Sequence, residues 1–209
     1  MKKNIKIMIL GALAITIAII IIAGILGKPI QVVIDAGHGG SDVGAEYEGR
    51  YEKDDNLSLA LLVNEKLREK GIETEMTRSR DKYISLEERC KIANRKNAKL
   101  FVSLHRNSAE GANGVEIWIS TEATECDKSL ANNILNSLDK VGISQNRGVK
   151  SGYARGDGDY YVNSHTDMTS CLVELGFINS ESDNSLLDRN IDEYAQAIAD
   201  SIIKTLDEE

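Results

Sequence analysis

The sequence predicts a single three-layer α/β/α domain with a twisted, mostly parallel central sheet flanked by helices, preceded by one N-terminal transmembrane helix. Short apolar, often β-branched runs are interspersed with longer amphipathic segments, which is typical of a parallel sheet covered by helices on both faces. A separate stretch near the N-terminus has no charged residue. The length of 209 residues suits one domain with such an appendage.

Residues 1–28 are predicted to form a cytoplasmic stub and a membrane anchor. The 21 residues 7–27 carry no charge, and Thr16 is their only polar side chain. At 1.5 Å per residue, such a helix spans about 30 Å, the thickness of a hydrocarbon core. The lysines before it favour a cytoplasmic N-terminus and an extracytoplasmic domain over residues 29–209. A cleaved signal peptide, which would make the domain secreted, is the alternative; its apolar region is typically shorter, roughly 7–15 residues.

The charge balance argues against a nucleic-acid partner. Four of the 25 basic residues lie within residues 1–28, which leaves 21 basic and 33 acidic residues in the predicted domain, a net charge of −12. Nucleic-acid binding requires a basic face, so we attribute the acidity mainly to solubility.

The sequence contains three cysteines, Cys90, Cys126 and Cys171, which show no CxxC spacing. We predict that they are buried free thiols; a single disulfide between two of them is the alternative.

Three predicted strands carry residues of chemical interest. Val32–Ile34 is a β-branched run that stops at a glycine-rich turn containing His38, a second apolar strand leads to His105, and a third contains Glu174. The carboxyl ends of parallel strands meet at one edge of a sheet, where ligands bind. A buried glutamate is costly unless it is paired or used. We therefore expect these three side chains to converge.

Glu52, in an acidic stretch just before a predicted helix, is a candidate to join them. Two histidines and one carboxylate form a ligand set known for catalytic zinc, and a second glutamate then has a natural role as general base. Spacing alone leaves other interpretations open. Glu52 could equally be an acid favoured by the dipole of the following helix, and His105 could be a hydrogen-bonded structural residue.

Four sequence blocks carry a family resemblance: Asp35–Gly40, Tyr51–Asp54, Ser103–Asn107 and Val173–Ile178. In composition and order, they resemble the zinc-dependent N-acetylmuramoyl-L-alanine amidases (the amidase type 3 catalytic domain), which cut peptides from the glycan of bacterial cell walls. The resemblance covers nearly all of residues 30–207. It implies one zinc ion held by His38, Glu52 and His105, with Glu174 as the catalytic carboxylate.

The resemblance also implies the reaction and its substrate. The bond cleaved would be the amide between the lactyl group of N-acetylmuramic acid and L-alanine of the peptidoglycan stem peptide. A zinc peptidase acting on another amide and a non-catalytic wall-binding module are the alternatives; the latter predicts damaged ligand positions, and all four are intact. A membrane-tethered, single-domain amidase resembles those of spore cortex modification, some of which need a protein partner to hold zinc.

Three residues are candidate substrate contacts. Arg106 and Asn107 directly follow His105, and His165 lies in the polar, glycine-rich segment 152–169, whose composition favours a mobile loop at a cleft rim. Arg106 could instead be solvated. A loop histidine such as His165 is more often solvent-exposed than functional.

The remaining elements complete the predicted α/β pattern. Arg89 is expected to form a surface ion pair, and Trp118 to pack against a helix rather than to stack on sugar. A capping-box pattern opens the second helix at Ser85. Helices are predicted over residues 54–70, 85–97, 124–141 and 192–206, with a short helix or turn over 179–187, and further strands over 72–77, 114–119 and 147–150.

Overall fold

A computed structural model describes residues 28–154 and 156–208. The described chain forms a mixed α/β domain with a mostly parallel central sheet flanked by helices, as predicted. The predicted membrane helix lies outside the described residues. Among the helices within them, none is long and apolar enough to cross a membrane.

The described residues contain eight strands and five helices, which we number in chain order. The strands are β1 Val32–Ala36, β2 Glu46–Tyr47, β3 Arg50–Tyr51, β4 Thr74–Met76, β5 Leu100–Asn107, β6 Val115–Ile119, β7 Asn146–Ser151 and β8 Thr169–Phe177. The helices are α1 Glu52–Glu69, α2 Leu86–Lys96, α3 Glu125–Val141, α4 Tyr161–His165 and α5 Glu181–Glu208.

Six strands form the central sheet, in the order β4-β1-β5-β8-β6-β7. The first four are parallel to one another, β6 is antiparallel to β8, and β7 is parallel to β6. The three strands predicted to carry functional residues, β1, β5 and β8, are therefore consecutive neighbours at the centre of the sheet. This arrangement brings their carboxyl ends to one edge.

The two faces of the sheet are covered unequally. Helices α1, α3 and α5 pack on one face over the larger apolar core. On the other face, α2 and the short α4 cover a smaller cluster around Phe101, Trp118 and Leu172. Because these two helices are short, polar side chains near the strand ends on this face line an open cleft rather than a core.

Several local predictions hold, and others need correction. Ser85 caps α2 by accepting a hydrogen bond from the backbone N–H of Glu88, as its sequence pattern indicates. The segment predicted as a loop before β8 contains α4. In the C-terminal segment, α5 is kinked at Asn190, whose backbone angles are non-helical, into two helical stretches that match the predicted short helix and final helix.

The predicted surface ion pair of Arg89 is wrong. Arg89 is 2% exposed, and its Nη1 lies 2.6 Å from Oδ1 of the equally buried Asp35. Thr77 and Ser103 also donate hydrogen bonds to that carboxylate. Helical periodicity places Arg89 away from the apolar stripe of α2, but only the packing of α2 over β1 reveals its partner.

Two side-chain environments bear on the remaining predictions. Trp118 is buried and packs with Tyr160, and its Nε1 donates to Glu116, in keeping with a packing role.

All three cysteines are free thiols, as predicted. Cys126 is exposed, so the expectation that every thiol is buried is wrong for this residue.

Replacing Arg89 with methionine should lower the free energy of unfolding by about 3–5 kcal/mol, because it leaves the buried Asp35 carboxylate without its cation. Urea denaturation measures this change. Lys91→Met is the matched control, since Lys91 makes only an exposed ion pair with Glu87 on the same helix, and its effect should stay within about 0.5 kcal/mol. Equal losses in the two variants would contradict the buried-pair interpretation.

Candidate active site

A cleft of about 760 Å³ opens near the carboxyl ends of β1, β5 and β8. His38, Glu52, His105 and Glu174 all line it. The four positions singled out in the sequence are thus brought to one place, although they are spread over more than 130 residues of chain.

His38 lies in a tight turn directly after β1. Its φ of 59° is in the left-handed region, which non-glycine residues seldom adopt. Backbone hydrogen bonds between Gly39 and Asp42 close the turn, and Arg89 Nη2 donates to the carbonyl of His38 at 2.7 Å. The ring is oriented by Asp42, whose Oδ2 lies 2.9 Å from Nδ1, so Nε2 is the nitrogen that faces Glu52.

Glu52 is positioned by a hairpin that the sequence patterns did not indicate. Strands β2 and β3 are joined through Glu48 and Gly49, both with positive φ, as a two-residue hairpin turn requires. The hairpin runs directly into α1, so Glu52 is the first residue of that helix and not the residue before it. Backbone N–H groups of Ala45 and Arg106 donate to its carboxylate.

His105 lies near the end of β5, with its ring packed against the backbone of Gly37. A Cβ atom at Gly37 would come within 2.3 Å of Cε1 and Nε2 of that ring. This contact explains why the chain has glycine at this position of the turn. It leaves Nδ1 of His105 directed at Glu52, 2.9 Å from Oε1.

Together, His38, Glu52 and His105 form a group that could hold a metal ion. One ligand atom from each residue lies within 4.8 Å of the other two. Nε2 of His38 is 3.2 Å from the Glu52 carboxylate oxygen that also contacts His105. The donor set of two imidazoles and one carboxylate, with Asp42 behind His38 as an outer carboxylate, fits the pattern of protein metal sites.

The charges of this group are strongly coupled. Burial raises the pKa of Glu52, but hydrogen bonds and charge attraction from His105 and His38 outweigh burial and hold the pKa well below its ordinary value. Burial lowers the pKa of His38, but contacts with Glu52 and Asp42 outweigh it and raise the pKa to about 9. Glu52 is thus a carboxylate, the form that ligates metals, whereas a cation must compete with a proton for His38.

Glu174 lies on β8, opposite His105 in the strand register. It is 6% exposed, and its Oε2 has no hydrogen-bond partner among the described residues. Burial raises the pKa of Glu174 to about 7; the charges of Glu52 and Glu116 add to this, while His105 opposes it. A carboxyl group with a pKa near neutrality can both accept and donate a proton.

The three candidate substrate contacts lie in different environments. Asn107 lines the cleft and donates to Glu116. The Arg106 guanidinium is buried and hydrogen-bonds to Asp55, Asn184 and the carbonyl of Phe177, so its contacts are structural. The His165 ring is exposed and stacks on Tyr161. Substrate contacts of these three residues stay predictions. For Arg106, the buried hydrogen-bond network disfavours a contact with substrate.

Sequence patterns missed several residues that shape the cleft. Asp42 orients His38, Tyr160 lies beside Glu174 with its hydroxyl 3.5 Å from Oε1, and Arg78 donates to the carbonyls of Ala36 and Gly37. Among these, only Asp42 carried a signal, because it lies four residues after His38. The positions of the two others depend on how distant segments pack.

The fold and site define a class: a mixed α/β domain whose cleft combines a potential metal-ligand group with a buried carboxyl group. Comparison with known proteins specifies the family. The N-acetylmuramoyl-L-alanine amidase family model (Amidase_3) matches residues 32–204. The chain therefore belongs to the N-acetylmuramoyl-L-alanine amidases, a family of hydrolases, and the predicted resemblance and enzyme class are confirmed.

Named amidases are among the individual relatives of the chain. YqiI of Bacillus subtilis (strain 168) is 40% identical over 185 residues, which cover 86% of both chains. The amidase LytC of the same strain is 36% identical over 190 residues, covering 87% of this chain but 37% of LytC. The structure of the CwlD amidase from Clostridioides difficile in complex with the GerS lipoprotein matches 86% of this chain and 99% of that chain, with a TM-score of 0.78 and 28% identity.

If the group formed by His38, Glu52 and His105 holds a metal ion, substituting Gly37 with alanine should weaken the binding of that ion at least about tenfold, because the new methyl group would displace the His105 ring from Glu52. Isothermal titration with Zn²⁺ measures the change. Gly156→Ala is the control, since its Cβ would meet no atom of the described chain within 4 Å and its φ is not in the left-handed region. Unchanged affinity in Gly37→Ala would show that His105 does not contribute to the metal site.

Proposed function

We propose that this chain is a zinc-dependent N-acetylmuramoyl-L-alanine amidase, which hydrolyses the amide between the lactyl group of N-acetylmuramic acid and L-alanine in peptidoglycan. The observation that carries the proposal is the convergence of His38, Glu52 and His105 within 4.8 Å, in the same cleft as the buried Glu174. Membership of the amidase family supplies the substrate class.

His38, Glu52 and His105 would hold the zinc ion. Two imidazoles and one carboxylate leave a position open in a catalytic zinc site. When bound there, zinc supplies Lewis-acid polarisation of the amide carbonyl and lowers the pKa of water. The residues around the three ligands are already ordered for this role, because Asp42 orients His38 and backbone N–H groups orient Glu52.

Glu174 would move the protons of the reaction. Its carboxylate takes a proton from the attacking water while the water oxygen bonds to the lactyl carbonyl carbon. The same carboxyl group then gives that proton to the alanine nitrogen as the C–N bond breaks. The pKa of Glu174, about 7 because of burial, suits this double role. The hydroxyl of Tyr160 lies 3.5 Å from Oε1 of Glu174, within reach of a weak hydrogen bond.

Glu174→Gln should reduce release of stem peptides by about 10²–10⁴-fold, the usual contribution of a general acid–base group, while Zn²⁺ binding is retained. Full-length protein with added Zn²⁺ is incubated with peptidoglycan, and new N-terminal L-alanine is quantified. Glu110→Gln, at an exposed position outside the cleft, is the matched control. A chelator should abolish release by the wild type.

Three results would contradict the proposal. Full activity in Glu174→Gln would exclude Glu174 as the proton carrier. Release of other new amino termini, without L-alanine, would indicate a zinc peptidase. Stoichiometric Zn²⁺ binding without any cleavage, even after cell extract is added, would indicate a binding module, whereas cleavage restored by the extract would show that the enzyme requires a partner.

We also propose that the domain acts on peptidoglycan outside the cell from a membrane anchor formed by residues 1–28, in spore cortex modification and with an activating protein. The uncharged residues 7–27 after three lysines support the anchor. Support for a partner comes from the similarity to CwlD, whose structure contains the GerS lipoprotein.

The full-length chain should sediment with membranes, whereas a chain that begins at Lys28 should stay in the soluble fraction, because only the former has the apolar stretch. Fractionation with immunoblotting of both forms measures this. Recovery of a shortened full-length product from the medium would instead indicate a cleaved signal peptide. Salt washing should not release an anchored chain.

A further inference from the structure

The cleft face of the sheet carries a row of charged side chains that extends beyond Glu174. In the strand register, Glu174 of β8 lies between His105 of β5 and Glu116 of β6. The next strand, β7, contributes Arg147 and Lys150, whose side chains reach back to Glu116. The row therefore runs from the candidate metal group, past Glu174, to a pair of cations at the edge of the sheet.

Glu116 is the buried centre of this second cluster. It is 2% exposed, and its Oε2 lies 2.8 Å from Nε of Arg147 and 2.6 Å from Nζ of Lys150. Its Oε1 accepts hydrogen bonds from Asn107 and Trp118. Burial raises the pKa of Glu116, but these hydrogen bonds outweigh burial and lower it, so the residue is a carboxylate.

The cluster contains more positive charge than is required to neutralise the Glu116 carboxylate. One cation would neutralise one buried carboxylate, yet two are present, which leaves a net charge of +1. Both cationic side chains are about one-third exposed, and Lys150 Nζ has donors beyond the one that Glu116 receives. In a predicted domain with a net charge of −12, this local excess of positive charge favours binding of an anion.

The rings of Trp118 and Tyr160 form an aromatic wall between this cluster and the cleft that contains Glu174. Lys150 Nζ lies 5.3 Å from the centre of the Trp118 ring, Trp118 contacts Tyr160 edge to face, and the Tyr160 hydroxyl lies beside Glu174. Asn107 joins the same two regions, because it lines the cleft and donates to Glu116. A ligand extending past Glu174 along this wall would therefore approach Lys150.

We propose that Lys150 and Arg147 bind a carboxylate of the stem peptide on the amine side of the scissile amide. This inference rests on the proposed amidase function, in which Glu174 protonates the departing alanine nitrogen. The chain attached to that nitrogen then leaves the site on the side of Glu174, opposite the metal group. The first carboxylate beyond L-alanine meets the cationic pair, with Lys150 as the principal contact, since Arg147 also donates to the carbonyl of Asn113.

The test compares two substrates that differ only in this group. Both contain N-acetylmuramoyl-L-alanine joined to a second residue, D-glutamate, that carries either a free α-carboxylate or an α-carboxamide. Full-length, Zn²⁺-loaded protein should cleave the carboxylate form with a kcat/KM about tenfold higher or more, as expected for one charge-assisted hydrogen bond. The preference should shrink as salt increases, because the cations are partly exposed.

Lys150→Met should reduce this preference to about threefold or less, and Lys150→Arg should restore it. Arg147 remains in both variants to pair with Glu116, and thermal unfolding checks that they fold. Lys128→Met is the control, because Lys128 makes only an exposed ion pair on α3; it should retain the wild-type preference. If Lys150 had only a structural role, its substitution would change the stability of the protein or its overall rate but not the ratio of kcat/KM between the two substrates.

Two outcomes overturn the inference while the proposed function stands: equal cleavage of both substrates by the wild type, or an unchanged preference in Lys150→Met. In either case the cationic pair serves only to neutralise Glu116. If neither substrate nor intact peptidoglycan is cleaved by the Zn²⁺-loaded protein, even with cell extract added, the proposed function itself fails, and this inference fails with it.

Discussion

The buried ion pair between Asp35 and Arg89 is the interaction on which the geometry of the cleft depends. Asp35 is the penultimate residue of the central strand β1, and it accepts hydrogen bonds from Arg89, Thr77 and Ser103. These donors come from α2, from the segment after β4 and from the neighbouring strand β5. One carboxylate thus joins three segments, and Arg89 also fixes the carbonyl of His38. Because a buried charge without its partner is costly, the turn that carries His38 has little freedom to shift.

The two faces of the sheet are covered unequally by helices, which leaves an open cleft on one of them. Long helices close one face completely, whereas the short helices on the other leave the strand ends open to solvent on one side. Polar residues there are buried enough to have shifted pKa values and still face a cleft. The charges are ordered across the sheet, from the His–Glu–His group, through the uncompensated carboxyl of Glu174, to the cations around Glu116. A substrate lying across this row would meet a different electrostatic environment at each strand.

Backbone conformation matters as much as side-chain identity near the candidate metal group. His38 adopts a left-handed φ, the β2–β3 hairpin delivers Glu52 to the first turn of α1, and Gly37 lets the His105 ring approach the backbone. Such conformations cost free energy locally and persist only where the surrounding structure enforces them. Arg78 and Arg89 provide this enforcement through hydrogen bonds to the carbonyls of the turn.

The sequence by itself determined the α/β class, the central strands β1, β5 and β8, and the convergence of His38, His105 and Glu174 in the cleft, whereas Glu52 was assigned to the site by the resemblance to the amidase family. It could do so because β-branched runs mark buried parallel strands, and parallel strands bring their carboxyl ends to one edge. Only the tertiary structure decided the partners of long polar side chains. Arg89, expected on the surface, is buried against Asp35, and Arg106 is directed into a network with Asp55. Glu116 and its two cations look ordinary in the sequence, because their meeting depends on the order of β8, β6 and β7 in the sheet, which local periodicity does not encode.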